Sequence, residues 1–168
     1  MSDFFGIKTG PVSPKGMMTS IKTVLFALCT FACTSLSQAG DFHSDYETAK
    51  KKAKEENKPL LVKFTGSDWC PPCKALDAAI FSQEKFKKEV EKDFVVAVLD
   101  FPKQKELPEG QKEKNQKAKN EFDVSGFPTV LLINQEGKVI KKMVGFGGGD
   151  VESYLEVLQT ALKAQKFL

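Results

Sequence analysis

The sequence predicts an α/β domain with a mixed central sheet of about four strands, flanked by helices on both faces. Two observations lead to this prediction. Short apolar runs alternate with amphipathic segments over residues 40–168, an order typical of parallel strands joined by helical crossovers. The last two apolar runs are separated only by a turn sequence, and so short a connection requires antiparallel neighbours. The expected order of elements is therefore α-β-α-β-α-β-β-α.

The first half of this order begins with a helix and a buried strand. Ser44-Asp45-Tyr46-Glu47 matches a capping box, which marks a helix start. Leu60 to Thr65 is a continuous run typical of a buried strand. Pro71 and Pro72 suit only the opening of a helix, and a further helical segment is expected to restart near Ser82.

The second half alternates in the same way. The expected elements are a central strand over Phe94–Leu99, a polar helix over Glu109–Phe122, and strands over Thr129–Ile133 and Lys138–Val144. Asn134-Gln135-Glu136-Gly137 has the composition of a hairpin turn between the last two strands. Asp150 is expected to cap a final amphipathic helix.

Residues 17–39 have the pattern of a secretory signal peptide. Lys22 supplies positive charge, a mostly apolar run extends from Val24 to Leu36, and Ser37-Gln38-Ala39 places small residues where signal peptidase reads them. The apolar run is shorter than the roughly 20 residues that span a bilayer. We therefore expect cleavage after Ala39 and export to the periplasm. Residues 1–16 show no periodicity and are interpreted as an upstream extension.

Cleavage at this site would leave a single pair of cysteines. Cys29 and Cys33 would depart with the signal peptide, and the domain over 40–168 would keep Cys70 and Cys73. Disulfides persist in the compartment that this domain would enter. The alternatives to cleavage after Ala39 are that the apolar run stays in place as a membrane anchor, or that a lipid is attached at Cys33.

Composition excludes several other kinds of function. The formal net charge of +3 is too small to indicate nucleic acid as a partner. All 25 basic residues are Lys, so bidentate Arg clamps on phosphate are excluded. His43 is the single histidine, which excludes mechanisms that need a histidine pair.

Trp69-Cys70-Pro71-Pro72-Cys73 follows a predicted strand and opens a predicted helix. Thiol exchange needs a thiolate, and a free thiol with a pKa of about 8.5 is mostly protonated near neutrality. Unpaired N–H groups and the dipole at a helix N-terminus stabilise a thiolate. Cys70 is therefore the expected nucleophile and Cys73 the resolving cysteine. The two prolines lack N–H groups, so the amides of Cys73 and Lys74 are expected to face the sulfur.

Two other interpretations of the cysteine pair remain open. A static structural disulfide would constrain little, because it closes a very short loop. A zinc site normally needs four ligands, and the exported domain offers two cysteines and His43. We therefore expect no metal.

Two segments resemble the thioredoxin family. They are Lys63-Phe64 leading to Trp69-Cys70-Pro71-Pro72-Cys73-Lys74, and Val124-Ser125-Gly126-Phe127-Pro128-Thr129. The resemblance covers about residues 44–165 and implies the thioredoxin fold, with no cofactor beyond the redox-active disulfide. It also implies a cis peptide bond between Phe127 and Pro128. By the same resemblance, the backbone of Phe127 pairs with extended substrate, Pro128 lies against the cysteines, and Trp69 covers the edge of the site.

The chain departs from the family at one buried position. Where thioredoxins have an acid on the strand before the active site, alignment places Lys63, and Val98 replaces the lysine that faces it. Lys63 could serve in proton handling if burial lowers its pKa. The favoured alternative is a lysine whose ammonium reaches an edge of the domain.

The resemblance implies a thiol–disulfide oxidoreductase, and we expect it to reduce the disulfides of exported proteins. The chain lacks the inserted helical domain of periplasmic oxidases, and no dimerisation domain precedes the fold, so a monomeric reductase is favoured over an oxidase or isomerase. Re-reduction is expected to come from a membrane thiol donor. A non-catalytic binding or chaperone module on the same scaffold is the alternative from another class.

Overall fold

The computed structural model of the protein describes residues 42–165. The expected extension over 1–16, the signal peptide over 17–39 and its cleavage site lie outside these residues. No helix within 42–165 is both long enough and apolar enough to cross a membrane.

The expected order of elements is confirmed, and the helical segment expected to restart near Ser82 is a separate helix. The helices are α1 (Tyr46–Glu55), α2 (Pro71–Leu76), α3 (Glu84–Asp93), α4 (Gln111–Glu121) and α5 (Val151–Gln165), and the strands are β1 (Leu60–Thr65), β2 (Val95–Asp100), β3 (Thr129–Ile133) and β4 (Val139–Val144). Asp150 caps α5 as expected, because its carboxylate accepts a hydrogen bond from the Ser153 amide at 2.8 Å.

The four strands form one mixed sheet in the order β2-β1-β3-β4. β2 therefore lies at an edge of the sheet, and the expectation of a central strand over Phe94–Leu99 was wrong. The run is nearly all apolar because helices cover both faces of the sheet, and its outer side is bonded to His43. β1 runs parallel to β2 and antiparallel to β3, and β3 and β4 form the antiparallel hairpin that the short turn predicted. Every residue of β1 is buried, as a central strand requires. The register places Lys63 opposite Val98, as the alignment suggested.

Apolar cores cover both faces of the sheet, and β1 contributes to each. Val62 and Phe64 belong to the core beneath α1 and α4. Leu61, which points the other way, belongs to the core beneath α2, α3 and α5. The prediction of helices on both faces of a mixed sheet is therefore confirmed.

Two local details differ from the expectation. The N-cap of α1 is Asp45, whose carboxylate accepts from the Thr48 amide at 2.8 Å, so the cap lies one residue after Ser44. The helix after the prolines does not continue regularly, because Asp77–Phe81 forms a π-helical turn closed by the Ser82 amide on the Asp77 carbonyl. α3 then begins at Glu84, two residues later than expected.

The segment before α1 lies along the outer side of β2. The His43 amide donates to the Val96 carbonyl at 2.9 Å, and the His43 carbonyl accepts from the Val98 amide at 2.7 Å. These two bonds form a short parallel bridge between His43 and Ala97.

Candidate active site

The cysteine pair lies where β1 passes into α2. Cys70 is the N-cap of α2, and a disulfide joins it to Cys73 across a Cα–Cα distance of 5.2 Å. Cys70 is 3% exposed and Cys73 is fully buried, while Pro71 and Pro72 between them are exposed. The turn therefore presents prolines to solvent and keeps its sulfurs close beneath the surface.

The amides at the start of α2 do not face the sulfur as expected. Those of Cys73 and Lys74 both donate to the backbone carbonyl of Cys70, each at 3.1 Å. The sequence prediction was wrong here for the disulfide form, because the carbonyl of an N-cap residue accepts the first bonds of its helix. The sulfur of Cys70 makes no capping bond.

The turn before Cys70 is fixed to the segment that follows β2. The Asp68 carboxylate accepts from the amides of Lys103, Gln104 and Lys105 at 2.6–3.2 Å. Desolvation acts to raise the pKa of Asp68, but these backbone bonds outweigh it and lower the pKa. Ser67 adds two bonds to the Asp100 carboxylate, from its amide at 2.9 Å and its hydroxyl at 2.6 Å.

Trp69 is held on three sides. Its Nε1 donates to the Phe101 carbonyl at 2.8 Å, its ring meets Phe127 edge-on at 5.9 Å, and the Lys103 ammonium lies 4.2 Å above it. Gly66 makes this position possible, because a Cβ there would come within 2.5 Å of the indole. In the sequence, the need for a residue without a side chain here is indicated only by Gly66 itself, directly after β1.

The second segment of the resemblance lies beside this cluster. The peptide bond between Phe127 and Pro128 is cis. The Phe127 ring packs on Trp69 and, at 5.0 Å, on Phe101, so these aromatic side chains form one group. Pro128 is buried, and its carbonyl accepts from the Gly145 amide at 2.8 Å, which connects β3 to the glycine-rich segment after β4.

Lys63 does not reach an edge of the domain, and that favoured alternative was wrong. Its side chain is 4% exposed, its Nζ pairs with the Asp77 carboxylate, and it lies 4.5 Å from the centre of the Phe81 ring. Burial lowers the pKa of Lys63, while Asp77 and then Asp100 act to raise it. The π-helical turn supplies both Asp77 and Phe81, so this irregular segment surrounds the buried ammonium.

Neither Asp77 nor Asp68 was predicted from the sequence as a residue of the site. Asp77 is 14 residues from Lys63, and Asp68 contacts a segment 35 to 37 residues away, so no local pattern indicated either pairing. Within residues 42–165, no group of three or more His, Cys, Asp or Glu side chains could hold a metal ion.

A disulfide at the start of a helix, beside a mixed sheet covered by helices on both faces, defines a thiol–disulfide oxidoreductase of the thioredoxin type. The thioredoxin-like domain family matches residues 46–161 of this chain. The chain belongs to that family.

Individual relatives support this class. The chain is 36% identical over 118 residues to the disulfide bond reductase DsbH of Chlamydia pneumoniae, covering 70% of each protein. It is 32% identical to the thioredoxin-related protein DsbJ of the same organism, over 63% of this chain but 30% of that protein. A solved structure titled DsbH oxidoreductase superposes with a TM-score of 0.67 at 33% identity, over 74% of this chain and 87% of that one.

Proposed function

We propose that this protein reduces the disulfides of exported proteins, with Cys70 as the nucleophile and Cys73 as the resolving cysteine. The observation that carries the proposal is the Cys70–Cys73 disulfide at the N-terminus of α2. That the protein reduces rather than oxidises its substrates is proposed from the similarity to a disulfide bond reductase over 70% of both chains.

The exchange balances without any further group. In the reduced protein the Cys70 thiolate attacks one sulfur of a substrate disulfide, forming a mixed disulfide and releasing the other substrate sulfur as a thiolate. The Cys73 thiolate then attacks the Cys70 sulfur and releases the second substrate thiolate, which takes up a proton. Two electrons pass from the protein dithiol to the substrate, and the Cys70–Cys73 disulfide is the product.

Three neighbouring residues are proposed to hold the substrate. Trp69 and Phe127 offer an aromatic surface beside the disulfide, and both are partly exposed. Phe127 and Pro128 directly precede β3, and we propose that the backbone of Phe127 pairs with an extended substrate there. In this proposal Trp69, Phe127 and Pro128 orient the substrate disulfide, and the chemistry remains with the two sulfurs.

Lys63 is proposed to assist proton handling at the pair. A buried ammonium whose pKa is lowered by desolvation is easier to deprotonate than a surface lysine. Asp77 is partly exposed and offers a route for the proton towards solvent.

We place the reaction in the periplasm, after removal of residues up to Ala39. The supporting observation is the signal-peptide pattern over 17–39. Intact mass of the exported protein tests this directly, and a chain that retains Cys29 and Cys33 would contradict it. The electrons for a new cycle would come from a membrane thiol donor, and the protein would act as a monomer.

The cysteine roles are tested with insulin as substrate and dithiothreitol as electron source. Wild-type protein is expected to accelerate insulin reduction, and Cys70→Ser to abolish the acceleration. Cys73→Ser is expected to accumulate mixed disulfides, because attack survives and resolution does not. Loss of all attack in Cys73→Ser but not in Cys70→Ser would reverse the roles.

The reduction potential of the pair, measured against glutathione, tests the direction. A potential near the roughly −270 mV of thioredoxins supports reduction, whereas one near about −120 mV indicates an oxidase. In the reduced protein, equal alkylation of Cys70 and Cys73 that rises only near about pH 8.5 would show an unactivated pair and would instead favour the binding or chaperone module.

A further inference from the structure

The segment that joins β2 to α4 forms one wall of a groove beside the active-site turn. The groove has a volume of about 410 Å³, and Phe101, Pro102 and Leu107 supply its apolar lining. Lys103, Lys105 and Lys112 lie around this lining, and all three side chains are exposed. We call these six residues and the space between them the basic groove.

The basic groove is fixed relative to the disulfide. Asp68, two residues before Cys70, binds the amides of Lys103 and Lys105, and Trp69 binds the Phe101 carbonyl. The Lys103 ammonium lies over the ring of Trp69, and Trp69 is the residue that directly precedes Cys70. A polypeptide whose disulfide reaches Cys70 therefore passes close to this groove.

The carboxylates near the groove form no direct ion pair with its lysines, and the lining has three lysines against the two acids Asp100 and Glu106. The carboxylate of Asp68 is directed to backbone amides, and that of Asp100 to the amide and hydroxyl of Ser67. Glu106 is the other acid in the lining. Among the side chains of residues 42–165, no carboxylate lies within ion-pair distance of Lys103, Lys105 or Lys112.

Two ammonium groups are also held in place. The Lys105 Nζ lies 3.4 Å from the Ser67 hydroxyl, and the Lys103 Nζ rests on Trp69. Holding a side chain before binding reduces the entropy lost when a partner charge arrives. The groove thus combines an apolar floor with positive charges that are partly positioned in advance.

We propose that the basic groove binds an acidic segment of the substrate polypeptide, with an apolar side chain on Phe101 and Leu107 and carboxylates on Lys105 and Lys112. This inference rests on the proposed exchange at Cys70 and adds a substrate preference to it. The volume lies at the small end of the range of about 300–1,000 Å³ for ligand sites, which suits one or two side chains. Opposite charges here speed encounter and select between substrates.

The test uses three peptides, each with a single cysteine in a mixed disulfide with a fluorescent thiol. They differ only in the flanking segment, which is Glu-Leu-Glu, Gln-Leu-Gln or Lys-Leu-Lys. The second-order rate constant for reduction by the reduced protein is measured at low and at high salt. We expect the acidic peptide to react about three- to tenfold faster than the neutral one at low salt, and the difference to shrink at high salt.

Matched variants identify the groove as the source of the preference. Lys105→Gln with Lys112→Gln is expected to bring the acidic-to-neutral ratio close to one and to leave the neutral peptide unchanged. Lys54→Gln with Lys117→Gln removes the same charge from exposed positions outside the groove and is expected to keep the ratio.

Each remaining outcome decides between the proposals. Equal rates for all three peptides in the wild-type protein overturn the groove proposal and leave disulfide reduction intact, whereas failure to reduce even the neutral peptide overturns disulfide reduction itself. An unchanged ratio in the groove variant, together with lost binding to vesicles containing anionic lipid, would assign the lysines to a membrane surface instead.

Discussion

The two faces of β1 differ in chemistry although they belong to one strand. On the α1 and α4 side, Val62 and Phe64 are fully buried among apolar residues. On the α2 side, Lys63 and Thr65 alternate with Leu61, so a cation and a hydroxyl lie within an otherwise apolar layer. Burying an ionised group is costly, and its partner Asp77 offsets that cost. The first face is apolar throughout, and the second buries the ion pair that we propose assists proton handling at the cysteine pair.

Leu131→Ala is expected to give the largest loss of stability, because Leu131 is fully buried on the apolar face opposite Val62. The cavity should cost about 2–5 kcal/mol in the free energy of unfolding, measured by urea denaturation. After reduction of the disulfide, the alkylation rate of Cys70 in the folded protein should remain that of the wild type. A changed thiol reactivity at equal folded fraction would show that the apolar face also serves the site.

Gly66→Ala tests the end of β1, where the strand leads into the active-site turn. A Cβ at this position collides with the Trp69 indole, so we expect a loss of about 1–3 kcal/mol. Trp69 is the single tryptophan, and its fluorescence should report the displacement. Gly147→Ala is the control, since nothing lies within 4 Å of a Cβ there. Unchanged emission in Gly66→Ala would contradict the packing of Trp69 on Gly66.

Asp77→Asn tests the polar face by leaving the Lys63 ammonium without its carboxylate. The expected loss at pH 7 is about 1–2 kcal/mol, less than for a fully buried pair because the Asp77 side chain is 29% exposed. Burial already lowers the pKa of Lys63, and removing Asp77 should lower it further. Between the lowered pKa and the ordinary value near 10.5, the unfolded chain binds more protons, so stability should rise with pH.

Lys63→Met is the matched control for this pH dependence. This variant lacks the titrating ammonium. The rise in stability with pH that we expect for Asp77→Asn should therefore be absent. Urea midpoints at neutral and alkaline pH measure the difference. Alkylation of Cys70 at pH 6 in the reduced protein gives the chemical readout, and slower labelling in Lys63→Met than in wild type would support proton handling. Identical labelling would restrict Lys63 to a structural role.

The sequence was sufficient for the features that depend on local pattern. The continuous apolar run of β1, the hairpin turn before β4 and the Asp150 cap all have short-range signatures, and each is present in the structure. The cysteine pair was identified from its place between a strand and two prolines.

Features that depend on distant contacts were not predictable in the same way. The partner of Lys63 is set by a π-helical turn, and neither the turn nor the direction of Asp77 has a distinctive composition. Asp68 contacts the amides of residues 103–105 because β2 ends beside the end of β1. That placement is set by the pairing of the two strands and not by the sequence near Asp68. Such contacts arise from tertiary packing, which overrides local preference.

A strand at the margin of a sheet leaves backbone donors and acceptors open to another chain, which is a common route to aggregation. On β2, two of these groups, the Val96 carbonyl and the Val98 amide, are already bonded to His43. At the opposite margin β4 has Lys141 and Lys142, whose charges oppose stacking with a second copy. One margin is thus protected by the domain's own backbone and the other by charge. Trimming the chain beyond His43 would remove the first of these protections and favour self-association.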